Sequence, residues 1–115
     1  MWTIWYNGDC SKSRAAKTFL DERNIEYRTI NYLETPLTSE MIKDLLAKIG
    51  VGIDGIIRTG EAEFKAISGE WFTWSDDKKI EFVIQNPIIL QRPLVVHGDK
   101  GVIARPGAEE IERIL

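Results

Sequence analysis

In the first third of the chain, the apolar positions follow a strand pattern, then a helical pattern, then a strand pattern again. The run Trp2–Tyr6 is aromatic and β-branched and stops at the turn sequence NGD, which predicts a buried strand. Residues 11–23 have helical spacing, and Asn24 is a typical C-cap. The predicted apolar face of this helix consists of Ala15, Ala16, Phe19 and Leu20. Because residues 25–32 predict a second strand, the segment is a βαβ unit with two parallel strands.

The middle of the chain predicts helices. Thr38 is a good N-cap for a helix that ends at Gly50, and its apolar positions recur at i, i+3, i+4 and i+7. These positions are Ile42, Leu45, Leu46 and Ile49. Residues 50–60 contain four glycines and predict a loop with one helical turn. A short helix is predicted over 61–67.

An irregular connection, SGEWFTWS, then leads to a third substantial helix over Asp76–Asn86. Ser75 or Asp76 opens this helix, and Pro87 closes it. Its predicted inward positions are Ile80, Val83 and Ile84. The whole predicted helical segment spans about residues 37–86 and has no strand pattern.

The C-terminal part predicts a hairpin and a closing helix. The strands Leu94–Val96 and Val102–Ala104 flank a longer turn, HGDKG, and Ala108–Leu115 is helical. The predicted apolar face of the last helix consists of Ile111, Ile114 and Leu115. The order β-α-β, helices, β-β-α predicts an α/β fold of thioredoxin type: a mixed four-stranded sheet with a helical insertion between its halves, in a single domain over residues 1–115.

Composition narrows the class of protein. The 115 residues are 43% hydrophobic and 29% charged, which is an ordinary globular mixture. A net charge of -3 disfavours a nucleic-acid partner, since such binders need a basic face. The apolar runs are too short to span a bilayer. One cysteine cannot form an internal disulfide and suits a reducing compartment, so we expect a cytoplasmic protein.

That cysteine, Cys10, stands where the first predicted helix begins. Backbone N–H groups and the helix dipole stabilise a thiolate at such a position. Lys12 and Arg14 add positive charge in the first turn, and Ser11 and Ser13 complete the segment expected to support the thiolate. A free cysteine that simply packs as a small hydrophobic residue is the alternative interpretation.

Arg58, Arg92 and Arg105 each lie at the boundary of a predicted element. The guanidinium fork matches tetrahedral oxyanions, and boundary residues tend to meet at one end of a sheet. Together with a thiolate, these arginines would form a site for a small oxyanion. Taken singly, each could equally be a surface arginine with a local ion pair.

Five segments carry a resemblance to a known family. They are YNGDCSKSR, NYLETPLT, GIIRTGE, NPIILQRPLVV and GVIARP. With these segments the chain resembles the glutaredoxin-coupled arsenate reductases over nearly its whole length. The resemblance implies a thioredoxin-like fold in which Cys10 is the nucleophile. It also implies that Arg58, Arg92 and Arg105 bind the oxyanion and that Pro93 follows a cis peptide bond.

The resemblance further implies a mechanism that needs only one internal thiol. Cys10 attacks arsenate, glutathione acts as co-substrate, and the partner glutaredoxin resolves the remaining mixed disulfide. No tightly bound cofactor and no metal is expected. The sequence departs from the family pattern on both sides of the cysteine. Tyr6 stands where a histidine is common, and Asp9 would raise the pKa of the Cys10 thiol if its carboxylate faced the sulfur. Ser11 and Lys12 replace the usual small, neutral pair after Cys10.

Two other functions fit the same residues. One is a glutathione-dependent thiol reductase, in which the arginines would hold a glutathione carboxylate. The other is a regulator of the Spx type, which binds RNA polymerase. Those regulators commonly carry a C-x-x-C switch, and Ser13 occupies the place of its second cysteine here. The single histidine, His97, is predicted to be an exposed turn residue with no metal or acid–base role.

Overall fold

The structure is a computed structural model that describes residues 1–7, 11–105 and 107–115. Its described residues form a mixed sheet of four strands: β1 (Trp2–Tyr6), β2 (Tyr27–Asn31), β3 (Leu94–His97) and β4 (Lys100–Ile103). The strand order is β2-β1-β3-β4. Strand β1 runs parallel to β2 and antiparallel to β3, and β3 runs antiparallel to β4. The predicted fold class is therefore confirmed.

Helix α1 (Ser11–Glu22) connects the two parallel strands. Its C-terminus is closed by Asn24, which has a φ of 56°, while the Ile25 N–H donates to the Leu20 carbonyl at 3.0 Å. This is the Schellman arrangement expected of a C-capping asparagine. The predicted inward position of Ala15 is wrong, because Ala15 is exposed and Ser13 is buried instead.

Helix α2 (Ser39–Ile49) opens the helical insertion as predicted. The Thr38 hydroxyl accepts a hydrogen bond from the Met41 N–H at 3.2 Å, and Gly50 ends the helix with a φ of 81°. A 3₁₀ turn (Ile53–Ile56) follows, and then α3 (Ala62–Lys65). These are the single turn and the short helix that the sequence predicts.

The segment predicted to be irregular contains a helix, α4 (Ser68–Trp71). Trp71 is 1% exposed, and its indole N–H donates to Asp54 Oδ1 at 2.7 Å. Its ring packs edge-on against Phe64 at 5.4 Å between ring centroids. Burial of this large side chain determines the local backbone, and such a tertiary effect leaves no signal in local propensity.

Helix α5 (Asp76–Gln85) and a 3₁₀ turn (Pro87–Ile89) complete the insertion. The Ser75 hydroxyl caps α5 by accepting from the Lys78 N–H at 3.2 Å. Of the predicted inward positions, Ile84 is only half-buried, whereas Lys79 is buried with its Nζ 3.2 Å from Asp54 Oδ1. The ion pair explains how a lysine is accommodated there.

The hairpin between β3 and β4 is tighter than predicted. His97 pairs with Lys100, so the turn contains only Gly98 and Asp99, and Gly98 has a φ of 61°. This positive φ is typical of the primed turns that suit the twist of a hairpin. The His97 ring is half-buried rather than exposed: it stacks on Trp2 at 4.0 Å between ring centroids.

The closing segment Ala108–Ile114 is a 3₁₀ helix. Ile111 and Ile114 are buried as predicted, but Leu115 is exposed. A 3₁₀ helix has three residues per turn, so two apolar positions three apart face the sheet together. The carbonyl of Ile114 lies 2.8 Å from His97 Nδ1, which ties the end of this helix to the sheet.

Two cores lie on opposite faces of the sheet, because neighbouring strand residues point to opposite sides. Ile4 packs with α1 and the closing helix, whereas Trp5 packs with the helical insertion. Each buried large apolar side chain stabilises the fold by about 1.5–3 kcal/mol. Among the described residues, the helices are all too short or too polar to traverse a bilayer.

Candidate functional site

One edge of the sheet collects the residues of the candidate site. Tyr6 pairs with Asn31, and Leu94 pairs with both Trp5 and Ile103. The ends of β1, β2 and β4 and the start of β3 therefore lie at the same edge. Within two positions of these strand ends lie Asn7, Tyr32, Arg92, Pro93 and Arg105.

Arg92 is held at this edge by the backbone around Pro93. The Arg92–Pro93 peptide bond is cis, which confirms the prediction made from the family resemblance. The Pro93 carbonyl accepts a hydrogen bond from the Ala104 N–H at 3.0 Å. The Arg92 side chain is 18% exposed, and its buried Nε and Nη1 have no hydrogen-bond acceptor in the part of the chain that the structure describes.

Arg58 reaches the same edge from the helical insertion. Its N–H donates to the Ile89 carbonyl at 2.7 Å, and the Gln91 N–H donates to the Ile56 carbonyl at 2.8 Å. This short antiparallel bridge places Arg58 beside the segment that leads into Arg92. The buried Nη1 of Arg58 likewise has no hydrogen-bond acceptor among residues 1–7, 11–105 and 107–115.

Glu61 links the two arginines, and sequence reasoning missed it. Its Oε1 lies 3.3 Å from Arg58 Nε and 4.0 Å from Arg92 Nη1. Arg58 and Glu61 are three positions apart in a turn, so this spacing was a usable signal. The pair with Arg92 has no such signal, because it spans 31 residues of sequence (92 minus 61).

Arg105 is tied to the backbone of Arg92. Its Nε donates a 2.7 Å hydrogen bond to the Arg92 carbonyl. The Arg105 side chain also borders a hollow of about 230 Å³, together with Glu110 and Arg113. The structure thus brings Arg58 and Arg92 to one carboxylate and fastens Arg105 to the main chain beside them.

Tyr32 and Asn7 are the other residues that sequence reasoning missed. The Tyr32 hydroxyl donates to the Leu90 carbonyl at 3.0 Å, and the side chain is 1% exposed. Burial raises the pKa of Tyr32 to about 12, while the guanidinium groups of Arg92 and Arg58 and the Asn7 side chain partly offset that rise. The two guanidinium charges and the Asn7 amide therefore act on the same buried phenol.

Asn7 is buried, with 8% of its surface exposed. Its Nδ2 has no hydrogen-bond acceptor among the described residues. The signal that could have found Asn7 is its place directly after a buried strand and three residues before Cys10. The sequence gives no sign that Asn7 lies near Tyr32, because the two residues are far apart along the chain.

The described cluster has more buried donors than acceptors. Four buried donors have no hydrogen-bond acceptor among the described residues: Arg58 Nη1, Arg92 Nε, Arg92 Nη1 and Asn7 Nδ2. Leaving a buried donor unsatisfied costs about 1–3 kcal/mol, and more for a charged group. An anion with several oxygens would satisfy these donors with charge-assisted hydrogen bonds. The arrangement is therefore suited to binding an oxyanion.

The predicted nucleophile, Cys10, lies outside the described residues, as do Gly8 and Asp9. The role of Cys10 and the effect of Asp9 on its pKa remain predictions. Of the predicted supporting residues in α1, Ser13 is buried, Lys12 is half-buried, and Ser11 and Arg14 are exposed.

Comparison with known proteins identifies the family. The sequence profile of the ArsC family matches residues 5–114. The chain belongs to the ArsC family. It is 33% identical over 113 residues to the arsenate reductase of Neisseria meningitidis serogroup A, covering 97% of this chain and 96% of that protein. It is 29% identical over 110 residues to the arsenate reductase of Escherichia coli K12, covering 96% and 78% of the two chains.

This ArsC-family chain also has the fold of a solved arsenate reductase structure. It superimposes on the arsenate reductase from Vibrio cholerae with a TM-score of 0.91 and 30% sequence identity. The superposition covers 99% of this chain and 97% of the other. The fold is thus the thioredoxin-like fold of the arsenate reductase structures.

Proposed function

We propose that this ArsC-family chain reduces arsenate to arsenite in the cytoplasm, with Cys10 as the nucleophile and glutathione and glutaredoxin as external thiols. The observation that carries the proposal is the group of buried, acceptor-poor donors of Arg58, Arg92 and Asn7 at one edge of the sheet. The arsenate reductases of Neisseria meningitidis and Vibrio cholerae support it, since the chain resembles both over nearly their full length.

Substrate binding would use the unsatisfied donors. Arg58 and Arg92 would donate to the oxygens of arsenate, with Arg105 completing the positive charge and Asn7 adding a neutral donor. Backbone hydrogen bonds position the main chain that carries Arg58 and the Pro93 segment before the substrate arrives. Preorganised donors stabilise developing negative charge without a reorganisation cost.

In the first chemical step the Cys10 thiolate would attack arsenic. A sulfur–arsenic bond forms, one arsenic–oxygen bond breaks, and the departing oxygen takes up protons and leaves as water. Ser11, Lys12, Ser13 and Arg14 would support the thiolate at the start of α1. Arsenic remains in its oxidised state through this step.

Reduction would occur in the second step. The glutathione thiolate attacks the Cys10 sulfur, the new disulfide forms, and the electron pair of the sulfur–arsenic bond stays on arsenic. Arsenic gains two electrons and is released as arsenite, while the two thiols are oxidised to a mixed disulfide. A glutaredoxin thiol then attacks the glutathione sulfur and regenerates Cys10, so one cysteine in the chain is sufficient.

The test is a coupled assay that follows NADPH oxidation with glutathione, glutathione reductase, glutaredoxin and arsenate. Wild-type protein should give an arsenate-dependent rate, and Cys10→Ser should lose it. Omitting glutaredoxin should slow turnover without abolishing a single round. A wild-type protein with no arsenate-dependent rate would contradict the proposal.

The same assay separates the thiol-reductase alternative. Arsenate is replaced by a small mixed disulfide of glutathione, with all coupling components kept and a reaction without the chain subtracted. A Cys10-dependent rate with this disulfide and none with arsenate would favour the thiol reductase. A rate with arsenate alone would favour the proposed function.

A further inference from the structure

We propose that Glu61 sets the charge selectivity of the oxyanion site: its carboxylate neutralises part of the arginine charge and disfavours doubly charged anions more than singly charged ones. The inference rests on the proposed use of Arg58 and Arg92 as oxyanion ligands. It names a residue whose effect can be measured on anion binding alone, without turnover.

One carboxylate oxygen is shared by both arginines. Glu61 Oε1 lies 3.3 Å from Arg58 Nε and 4.0 Å from Arg92 Nη1. The side chains of Arg58 and Glu61 are each 25% exposed, so the charges interact in a partly dehydrated setting. Such a pair is screened less than one between fully exposed side chains.

The Glu61 side chain points away from the helix that its backbone begins. Glu61 is the N-cap residue of α3, and its carbonyl accepts from the Phe64 and Lys65 N–H groups at 3.1 and 3.0 Å. Its carboxylate makes no capping hydrogen bond to that helix. The backbone thus anchors Glu61 in the helix start while the side chain turns toward Arg58 and Arg92.

Glu61 reduces the positive charge of the arginine pair but leaves hydrogen-bond donors available. Glu61 faces the Nε of Arg58 and leaves the buried Nη1 of Arg58 and the Nε of Arg92 without an acceptor in the described chain. The two arginines and Glu61 carry a net charge of +1 (two positive, one negative). An incoming oxyanion therefore meets donors and a fixed negative charge together.

The consequence depends on the charge of the bound anion. The repulsion between Glu61 and the anion is proportional to the product of their charges. Its free energy for a dianion is therefore about twice that for a monoanion at the same place. Removing the Glu61 charge should then increase the dianion affinity by about the square of the factor for a monoanion.

The experiment compares wild type, Glu61→Gln and Glu63→Gln with two tetrahedral anions, sulfate and perchlorate. Glutamine keeps an acceptor oxygen for the arginines and removes only the charge. Glu63 is an exposed residue of α3 two positions away, so Glu63→Gln is a matched charge control. Binding is followed by NMR through the arginine side-chain Nε–Hε signals, with Arg92 assigned from Arg92→Lys, at constant ionic strength.

In Glu61→Gln the affinity should rise about threefold for perchlorate and about tenfold for sulfate. Glu63→Gln should change each affinity less than about twofold. Equal increases for the two anions, unchanged affinities or weaker binding in Glu61→Gln would overturn the inference. So would the absence of any anion-dependent shift at Arg92 in wild type and Glu61→Gln.

Failure of the proposed function gives a different pattern. If the chain lacks arsenate-dependent turnover but Glu61→Gln still shifts the sulfate-to-perchlorate ratio, the charge role of Glu61 stands and the arsenate proposal fails. If turnover is found while the ratio is unchanged, the reverse holds.

Discussion

The Nε of Arg105 donates a 2.7 Å hydrogen bond to the carbonyl of Arg92. Arg105 follows β4 and Arg92 precedes β3, so this bond joins the two strands at the open end of the hairpin, opposite the turn. It gives Arg105 a positioning contact in addition to its charge. Losing Arg105 should therefore affect both oxyanion use and the placement of Arg92.

Replacing Arg105 by alanine should lower kcat/KM for arsenate about 10–100-fold, because a charge-assisted contact is worth about 1.5–3 kcal/mol. The unpaired Arg92 carbonyl should also lower the free energy of unfolding by about 1–3 kcal/mol. Arg105→Lys keeps the charge and should recover part of the loss. Arg113→Ala is the control, since Arg113 is exposed and pairs with Glu110. Unchanged kinetics in Arg105→Ala would remove it from the site.

Arg58→Ala and Arg92→Ala should each reduce kcat/KM for arsenate about 10–100-fold, for the same loss of charged donors. Because both face Glu61 Oε1, the double variant should lose less than the sum of the two single effects. Circular dichroism should report an unchanged fold. Strict additivity of the two free energies would mean that the arginines act independently.

Asn7 offers a test of the neutral donor. Asn7→Ala should raise KM for arsenate about tenfold, since one hydrogen bond to a charged group is lost. Asn7→Asp should weaken binding further than Asn7→Ala, because it replaces a neutral donor with a negative charge that repels the substrate. Asn24→Gly, at the far end of α1, preserves the positive φ found there and is the control. Arsenate kinetics in Asn7→Asp equal to those of wild type would exclude a place for Asn7 at the anion.

Tyr32 predicts a specific loss of stability in alkali. Its pKa is raised from 10.0 to about 12 by burial, so the folded chain keeps the phenol proton in a range where the unfolded chain releases it. The stability from the neutral phenol is complete below pH 10 and is lost as pH rises toward 12. The unfolding free energy should fall by about 2 kcal/mol more in wild type than in Tyr32→Phe across this range.

Urea unfolding at pH 9, 10, 11 and 12 measures this difference. Tyr27→Phe is the comparison variant: burial and the neighbouring Asp21 also raise the pKa of Tyr27, but Tyr27 is only half-buried, so its removal should reduce the alkaline loss less than removal of Tyr32 does. Parallel pH dependences of wild type and Tyr32→Phe would show that Tyr32 does not contribute to the alkaline loss.

Local sequence patterns predicted elements whose signals lie within a few residues. The Thr38 and Ser75 caps, the Asn24 and Gly50 helix ends and the strand Trp2–Tyr6 belong to this group. The errors occur where distant burial determines the backbone. The segment around Trp71 was predicted to be irregular, but it contains a helix in which Trp71 is buried. Cross-strand pairing of His97 with Lys100 makes the hairpin turn shorter than predicted.

The candidate site divides in the same way. Arg58, Arg92 and Arg105 could be selected because arginines at element boundaries and the family resemblance both mark them. Tyr32 could not, because its partner lies far along the chain: its hydroxyl bonds to Leu90, 58 residues away. The spacing of three positions could link Glu61 to Arg58, but nothing local could link it to Arg92. Asn7 had a partial signal in its place directly after a buried strand, but only the structure groups it with Tyr32 and the arginines.

The sequence by itself determined the order of strands and helices, the single cysteine, the three arginines and the family. These follow from local periodicity, turn chemistry and motif order, which depend only on the order of residues along the chain. Only the tertiary structure decided that Glu61 is shared by Arg58 and Arg92 and that Arg105 holds the Arg92 carbonyl. Those contacts exist because pairing of the sheet strands and packing of the insertion bring distant residues to one edge, and no local pattern encodes that distance.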